Sequence, residues 1–185
     1  MPRGKKQPTP GENNAAKDVP YRVFFEYAKV PMMLIDTDTT ITLCNRAFEQ
    51  LIGYPRSEIE GVMSWTGMVP GGEQLERMKE YHRTRRIDPL SVPEEYEFQM
   101  IDSRGEAKDI VISITMVPET TLSLAFLQDI TEKKRSEIWY KAVFENTGLP
   151  SIIIAPDTKI LKANSEFCIL SGLSQEEIQG KMSWT

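Results

Sequence analysis

The sequence predicts an α+β domain built on a five-stranded antiparallel sheet with helices on one face. The apolar spacing is helical up to about residue 86 and alternating from Pro93 onward. Two short apolar runs at Met32–Ile35 and Ile41–Cys44 add a hairpin ahead of the helices. Finally, part of the pattern repeats. Tyr21–Thr66 slides by 119 positions onto Tyr140–Thr185 without a gap over 46 positions, 19 of them identical, and both copies end in Met-Ser-Trp-Thr. A period this long belongs to tandem domains, not to a solenoid. The second copy is expected to lack roughly its last 70 residues, so the chain reads as a fragment of a longer multidomain protein.

Residues 1–19 are rich in Pro, Gly and polar side chains and predict a disordered leader. Tyr21–Lys29 reads as a short amphipathic helix stopped by Pro31. Met32–Ile35, the turn Asp36–Thr40 and Ile41–Cys44 make the hairpin. Asn45 then suits an N-cap, Phe48, Leu51 and Ile52 form an apolar face, and Gly53 suits the left-handed C′ position. A further helical turn runs over Ser57–Ile59, and Gly67–Gly72 reads as a loop. Glu73–Arg86 is a charged helix with Leu75, Met78 and Tyr81 or His82 on one side.

Beyond Pro93, Tyr96, Phe98 and Met100 alternate with polar residues, Asp102–Gly105 makes a turn, and Ile110, Ile112, Ile114 and Met116 alternate again. Leu122–Leu127 is apolar on both faces and predicts a strand covered on both sides. From Asp129 the pattern returns to helix, with Glu132 placed for a capping-box variant. The predicted domains are 20–131, a connecting helix over 132–146, and residues 140–185, which can supply a hairpin and short helices but not the three long strands.

Composition narrows the function. The net charge of −5 lacks the basic footprint of a nucleic-acid-binding domain. No apolar run approaches the ~20 residues of a membrane helix, and the basic start is followed by polar residues instead of a signal-peptide core. Cys44 and Cys168 form neither a disulfide framework nor a metal spacing, which predicts a cytosolic protein. The sequence contains no phosphate loop, metal-ligand cluster or nucleophile–base pair.

Several motifs occur in a recognisable order: Asn-Arg-Ala-Phe-Glu-Gln-Leu-Ile-Gly-Tyr at 45–54, Ser-Glu-Ile-Glu-Gly at 57–61, Ile-Asp-Ser-Arg-Gly at 101–105 and Asp-Ile-Thr-Glu-Lys-Lys at 129–134. In that order they resemble the PAS (S-box) family of sensory domains, fully over 21–131 and as an N-terminal half over 140–185. The resemblance departs at Val69-Pro-Gly-Gly-Glu73, where many relatives carry His-Pro-Glu-Asp. It implies a module that senses a small molecule or mediates dimerisation and relays the change through a helix to an output domain in cis. A sensor histidine kinase is the implied parent. A haem- or flavin-based redox or gas sensor, a diguanylate cyclase and a transcriptional regulator are the alternatives.

The family's ligand site lies between sheet and helices. Strand alternation then makes Tyr96, Phe98, Met100, Ile110, Ile112, Ile114, Met116, Ala125 and Leu127 the pocket candidates. All but Tyr96 lack a conventional hydrogen-bonding group, so a core filled by its own side chains is the plainer expectation. His82, the single histidine, reads as a solvated residue near a helix end rather than a haem ligand. No cysteine occupies the flavin-adduct segment, and Trp65 and Trp184 read as core anchors whose indole N–H finds an acceptor. No cofactor is assigned, with haem and flavin left open. Asp129, Ile130 and Thr131 form the exit motif that in the family couples the sheet to the next helix. A homodimer is expected through the Tyr21–Lys29 helix, the outer sheet face (Val111, Leu124, Phe126) and the connecting helix.

Overall fold

A computed structural model describes residues 22–185, and the predicted leader lies outside them. The chain divides into two compact units, ending and beginning at Thr131 and Glu132. Unit 1 carries helix α1 over 22–27, strands β1 (Met32–Ile35) and β2 (Ile41–Cys44), and helices α2 (Arg46–Ile52), α3 (Arg56–Ile59) and α4 (Glu73–Arg85). Strands β3 (Glu95–Ile101), β4 (Ala107–Met116) and β5 (Ser123–Asp129) follow. The sheet is antiparallel throughout, in the order β2-β1-β5-β4-β3. The doubly apolar strand β5 therefore lies between β1 and β4, where both edges are paired.

Local chemistry sets the first half. Asn45 has no exposed surface and caps α2, its Oδ1 accepting from the Phe48 N–H at 3.0 Å and from the Met32 N–H at 2.9 Å. Its Nδ2 donates to the carbonyls of Val30 (2.9 Å) and Phe25 (3.1 Å), which ties α1 and the segment after it to the start of β1. Gly53 ends α2 at φ +74°, and a Cβ there would sit 2.4 Å from Ser103 Oγ. The β3–β4 turn thus packs on the end of α2, where the Ser103 N–H donates to the Ile52 carbonyl at 2.8 Å.

Two expectations shift. Residues 65–68 form a 3-10 turn where a loop was expected from Gly67, because Ser64 Oγ accepts from the Thr66 N–H and starts the turn. Asp129 is the last residue of β5, and the following helix α5 (Thr131–Glu145) starts two residues later. Its carboxylate accepts from the Thr131 N–H at 2.9 Å, which caps the helix from a strand end.

Unit 2 contains most of α5, a hairpin of β6 (Ile152–Ile154) with β7 (Ile160–Ala163), and helices α6 (Ser165–Ser171) and α7 (Gln175–Ile178). Its local bonds repeat those of unit 1 at the 119-residue offset. Asn164 accepts from the Phe167 and Ser151 N–H groups as Asn45 does from Phe48 and Met32. Thr158 bonds Ser183 as Thr39 bonds Ser64. Burial does not repeat: Trp65 is 5% exposed and Trp184 62%. Only Ile160, Ala163 and Ile178 form a buried apolar cluster in unit 2 among the described residues.

Candidate functional site

The inner face of the unit 1 sheet meets α4 and the 65–68 turn around a small cavity of about 20 Å³. That is room for about one water molecule. Of the nine pocket candidates, Tyr96, Phe98, Met100, Ile112, Ile114 and Leu127 line it. Ile110 and Ala125 are fully buried in the surrounding core without reaching the cavity, and Met116, half-buried near the end of β4, also lies outside it. The opposite wall brings in residues that strand alternation could not nominate: Trp65, Met68, Met78, His82 and Arg85. Met33 and Ile35 of β1 extend the sheet wall.

The expectation of a solvated His82 is overturned. The residue is 8% exposed, because α4 turns its Met78–His82–Arg85 stripe onto the sheet. His82 Nε2 lies 3.2 Å from the Thr37 carbonyl and so carries the proton, while Nδ1 accepts from Arg86 Nη1 at 3.0 Å. Burial, and then the Arg86 cation, hold the ring below the usual histidine value. It is the neutral Nε2–H tautomer with both nitrogens engaged, and its ring packs against Trp65 at 5.8 Å between centroids.

Trp65 anchors the core as expected, but its buried indole Nε1–H finds no acceptor among the described residues. Arg85, 3% exposed, donates from Nη2 to the Pro93 carbonyl and lines the cavity together with Tyr96, while its Nε–H is also buried without a partner. Burial is the chief cause raising the Tyr96 phenol above its ordinary value. The sequence held a signal for these residues. Positions 75, 78, 82 and 85 follow one helical stripe, and extending the apolar face past Met78 leads to His82 and Arg85.

Neither haem nor flavin fits the cavity as packed, since its volume is that of a water and His82 has no free ring nitrogen. Among the described residues, no group of three His, Cys, Asp or Glu side chains is placed to hold a metal ion.

The exit motif is fastened to β4. The Ile130 N–H donates to the Asp109 carbonyl, and the Asp109 N–H donates to Thr131 Oγ1, both at 2.9 Å. Lys108 Nζ lies 3.8 Å from Asp129 and 3.9 Å from the buried carboxylate of Asp102. On the surface, Val23, Phe24 and Tyr27 of α1 and Ile138 and Trp139 of α5 are exposed, while Val111, Leu124 and Phe126 are half-buried. No described helix is long and apolar enough to cross a membrane.

A family model described as PAS domain matches residues 29–132, and one described as PAS fold matches residues 140–183. Among solved structures, the chain is similar to a domain of the sensory box sensor histidine kinase/response regulator from Geobacter sulfurreducens. The identity is 21% and the TM-score 0.52, covering 64% of this chain and 98% of that one. A PAS domain from a two-component sensor histidine kinase aligns at 12% identity and TM-score 0.50, over 63% of this chain and 99% of that one. An RNA-binding light-oxygen-voltage receptor aligns at 18% identity and TM-score 0.55, over 76% and 41%. At these identities the likeness concerns the fold alone. No curated protein matches the chain.

Proposed function

The chain belongs to the PAS domain family, and from that premise we propose that unit 1 is a sensory module that relays occupancy of its cavity to α5. The observation that carries this reading is one of continuity. Leu127 lines the cavity, and two residues later β5 becomes the exit motif, hydrogen-bonded to Asp109 of β4. A shift of the sheet that accommodates a ligand at Leu127 therefore moves the cap of α5, biasing the helix between two arrangements.

In this reading 20–131 is the sensory domain, 132–146 the connecting helix, and 140–185 the start of a second sensory domain. The cavity-facing candidates Tyr96, Phe98, Met100, Ile112, Ile114 and Leu127 contact the ligand. The exposed apolar residues of α1 and α5 form a homodimer together with Val111, Leu124 and Phe126. The output domain lies in cis in a cytoplasmic sensor histidine kinase.

The relay is tested with Asp129→Asn and Thr131→Val in the parent protein. Signalling output should change, while the sheet of this chain keeps its amide protection. Unaltered output in both variants would sink the relay.

A further inference from the structure

Unit 1 buries two unpaired donors at one cavity. Buried polar groups are hydrogen-bonded in the great majority of cases, and an orphan forfeits its full desolvation cost. The Trp65 indole N–H and the Arg85 Nε–H are such orphans among the described residues, and both side chains line the cavity. They share one wall: Trp65 packs on His82, and Arg85 follows His82 by three residues on the same face of α4.

The charge of this wall is uncompensated. Guanidinium stays ionised in proteins. The hydrogen-bond partner of the Arg85 guanidinium is the Pro93 carbonyl, a neutral group. No carboxylate lines the cavity, and the ion pairs among the described residues of unit 1 gather elsewhere: at Arg56, at Asp102, and on α4 at Lys79 and Arg83. His82 contributes no donor, because both of its nitrogens are engaged. Apart from the Tyr96 phenol and the Ser123 hydroxyl, which accepts from Arg86 Nη2 at 3.4 Å, the remaining lining is apolar and soft. Met33, Met68, Met78 and Met100 all reach the cavity, and thioether chains re-pack at little cost.

We propose that this cavity takes a small amphiphilic anion, a short-chain monocarboxylate in its simplest form. Its head is held by Arg85 and Trp65, and its apolar body displaces the four methionines. The proposal rests on the sensory reading above and names the ligand class of that same site. A carboxylate supplies the acceptor that both orphan donors lack and the countercharge that Arg85 lacks. A neutral alcohol supplies only the first, and a cation is repelled. As packed, the cavity of about 20 Å³ holds no more than a water. The ligand enters by moving methionines, so affinity rises with chain length by up to about fourfold per methylene and stops rising once they can give no further.

The test is a titration of the whole isotope-labelled chain with acetate, butyrate and hexanoate, beside butanol, hexanol and butylamine. The Trp65 indole N–H signal is identified by its loss in Trp65→Phe. Butyrate and hexanoate should shift it saturably, with the matched alcohols about tenfold weaker. Arg85→Gln should lower carboxylate affinity about tenfold or more, to the level of the alcohols. Trp65→Phe, which keeps the ring and loses one donor, should weaken binding about three- to tenfold, read on the Leu127 amide. If Arg85→Gln does not fold, the carboxylate-to-alcohol ratio in the unsubstituted chain and the Trp65→Phe loss decide. Equal binding of alcohols and carboxylates would overturn the anion class and leave the sensory reading standing. Binding by none of the probes would overturn the proposal as well, while the relay is judged separately by the Asp129 and Thr131 variants.

Discussion

Asn45 is the position where a single substitution should cost unit 1 the most for the fewest atoms lost. Its amide makes two acceptor bonds, to the Met32 and Phe48 N–H groups, and donates to the Val30 and Phe25 carbonyls. Asn45→Ala removes these four, and a longer bond from Nδ2 to the Ala28 carbonyl at 3.4 Å, in a site with no exposed surface. At about 1 kcal/mol net per bond, the loss is about 4 kcal/mol. That is several times the ~1 kcal/mol of an ordinary N-cap. Urea unfolding followed on the β4 and β5 amide signals, which report unit 1 alone, measures it. Asn45→Asp adds a control of known sign. Its carboxylate keeps the two accepted bonds but faces carbonyls in a buried site, so its folded pKa rises above the unfolded value near ~3.9. The folded state then binds more protons, and this variant should gain stability as pH falls from 7 towards 4. The chain after α1 should also become sensitive to protease in both variants, since Asn45 holds residues 25–30 in place. A loss below about 1 kcal/mol for Asn45→Ala, with that segment still protected, would refute the account of Asn45 as the anchor joining α1, β1 and α2.

Three further outcomes are expected. His82 is the only histidine in the chain, so a single imidazole signal should titrate below its ordinary value. The unfolded chain protonates first, so stability should fall as pH drops below ~6.5, an effect absent from His82→Gln; a ring titrating at or above that value would contradict its burial. Gly53→Ala combines a φ of +74° with a Cβ 2.4 Å from Ser103 Oγ, so it should destabilise by about 1–2 kcal/mol or more. Part of that loss should be recovered in the Ser103→Ala background, and additive losses would refute the contact. The fully buried Cys44 thiol, pushed up to about 12 by burial and then by Glu60, should resist alkylation at pH 8 while the less buried Cys168 reacts; equal rates would show that the core around Cys44 opens readily.

What could be read from the sequence depended on how far each feature's cause lies along the chain. Asn45 and Gly53 announce their roles because capping is settled within a few residues, and the same types recur at Asn164 and Gly172 with the same backbone geometry. The strands were legible because alternation is also local, and six of the nine pocket candidates reach the cavity from β3, β4 and β5. Their boundaries were less so. Where β5 ends depends on its pairing with β4 as far as Asp129, which no local pattern records. The helical wall of the cavity shows the limit most clearly. A cationic or titratable residue in the last turn of a helix is locally favoured in water by the helix dipole, so the local rule sends His82 and Arg85 outward. The Thr37 carbonyl lies 45 residues away from His82, and the Pro93 carbonyl that accepts from Arg85 lies outside the helix, eight residues on. Only the packed fold brings these groups together. The period of α4 nevertheless places both residues on the Met78 stripe. Where helical period and side-chain polarity disagree, as at His82 and Arg85, the period decides burial.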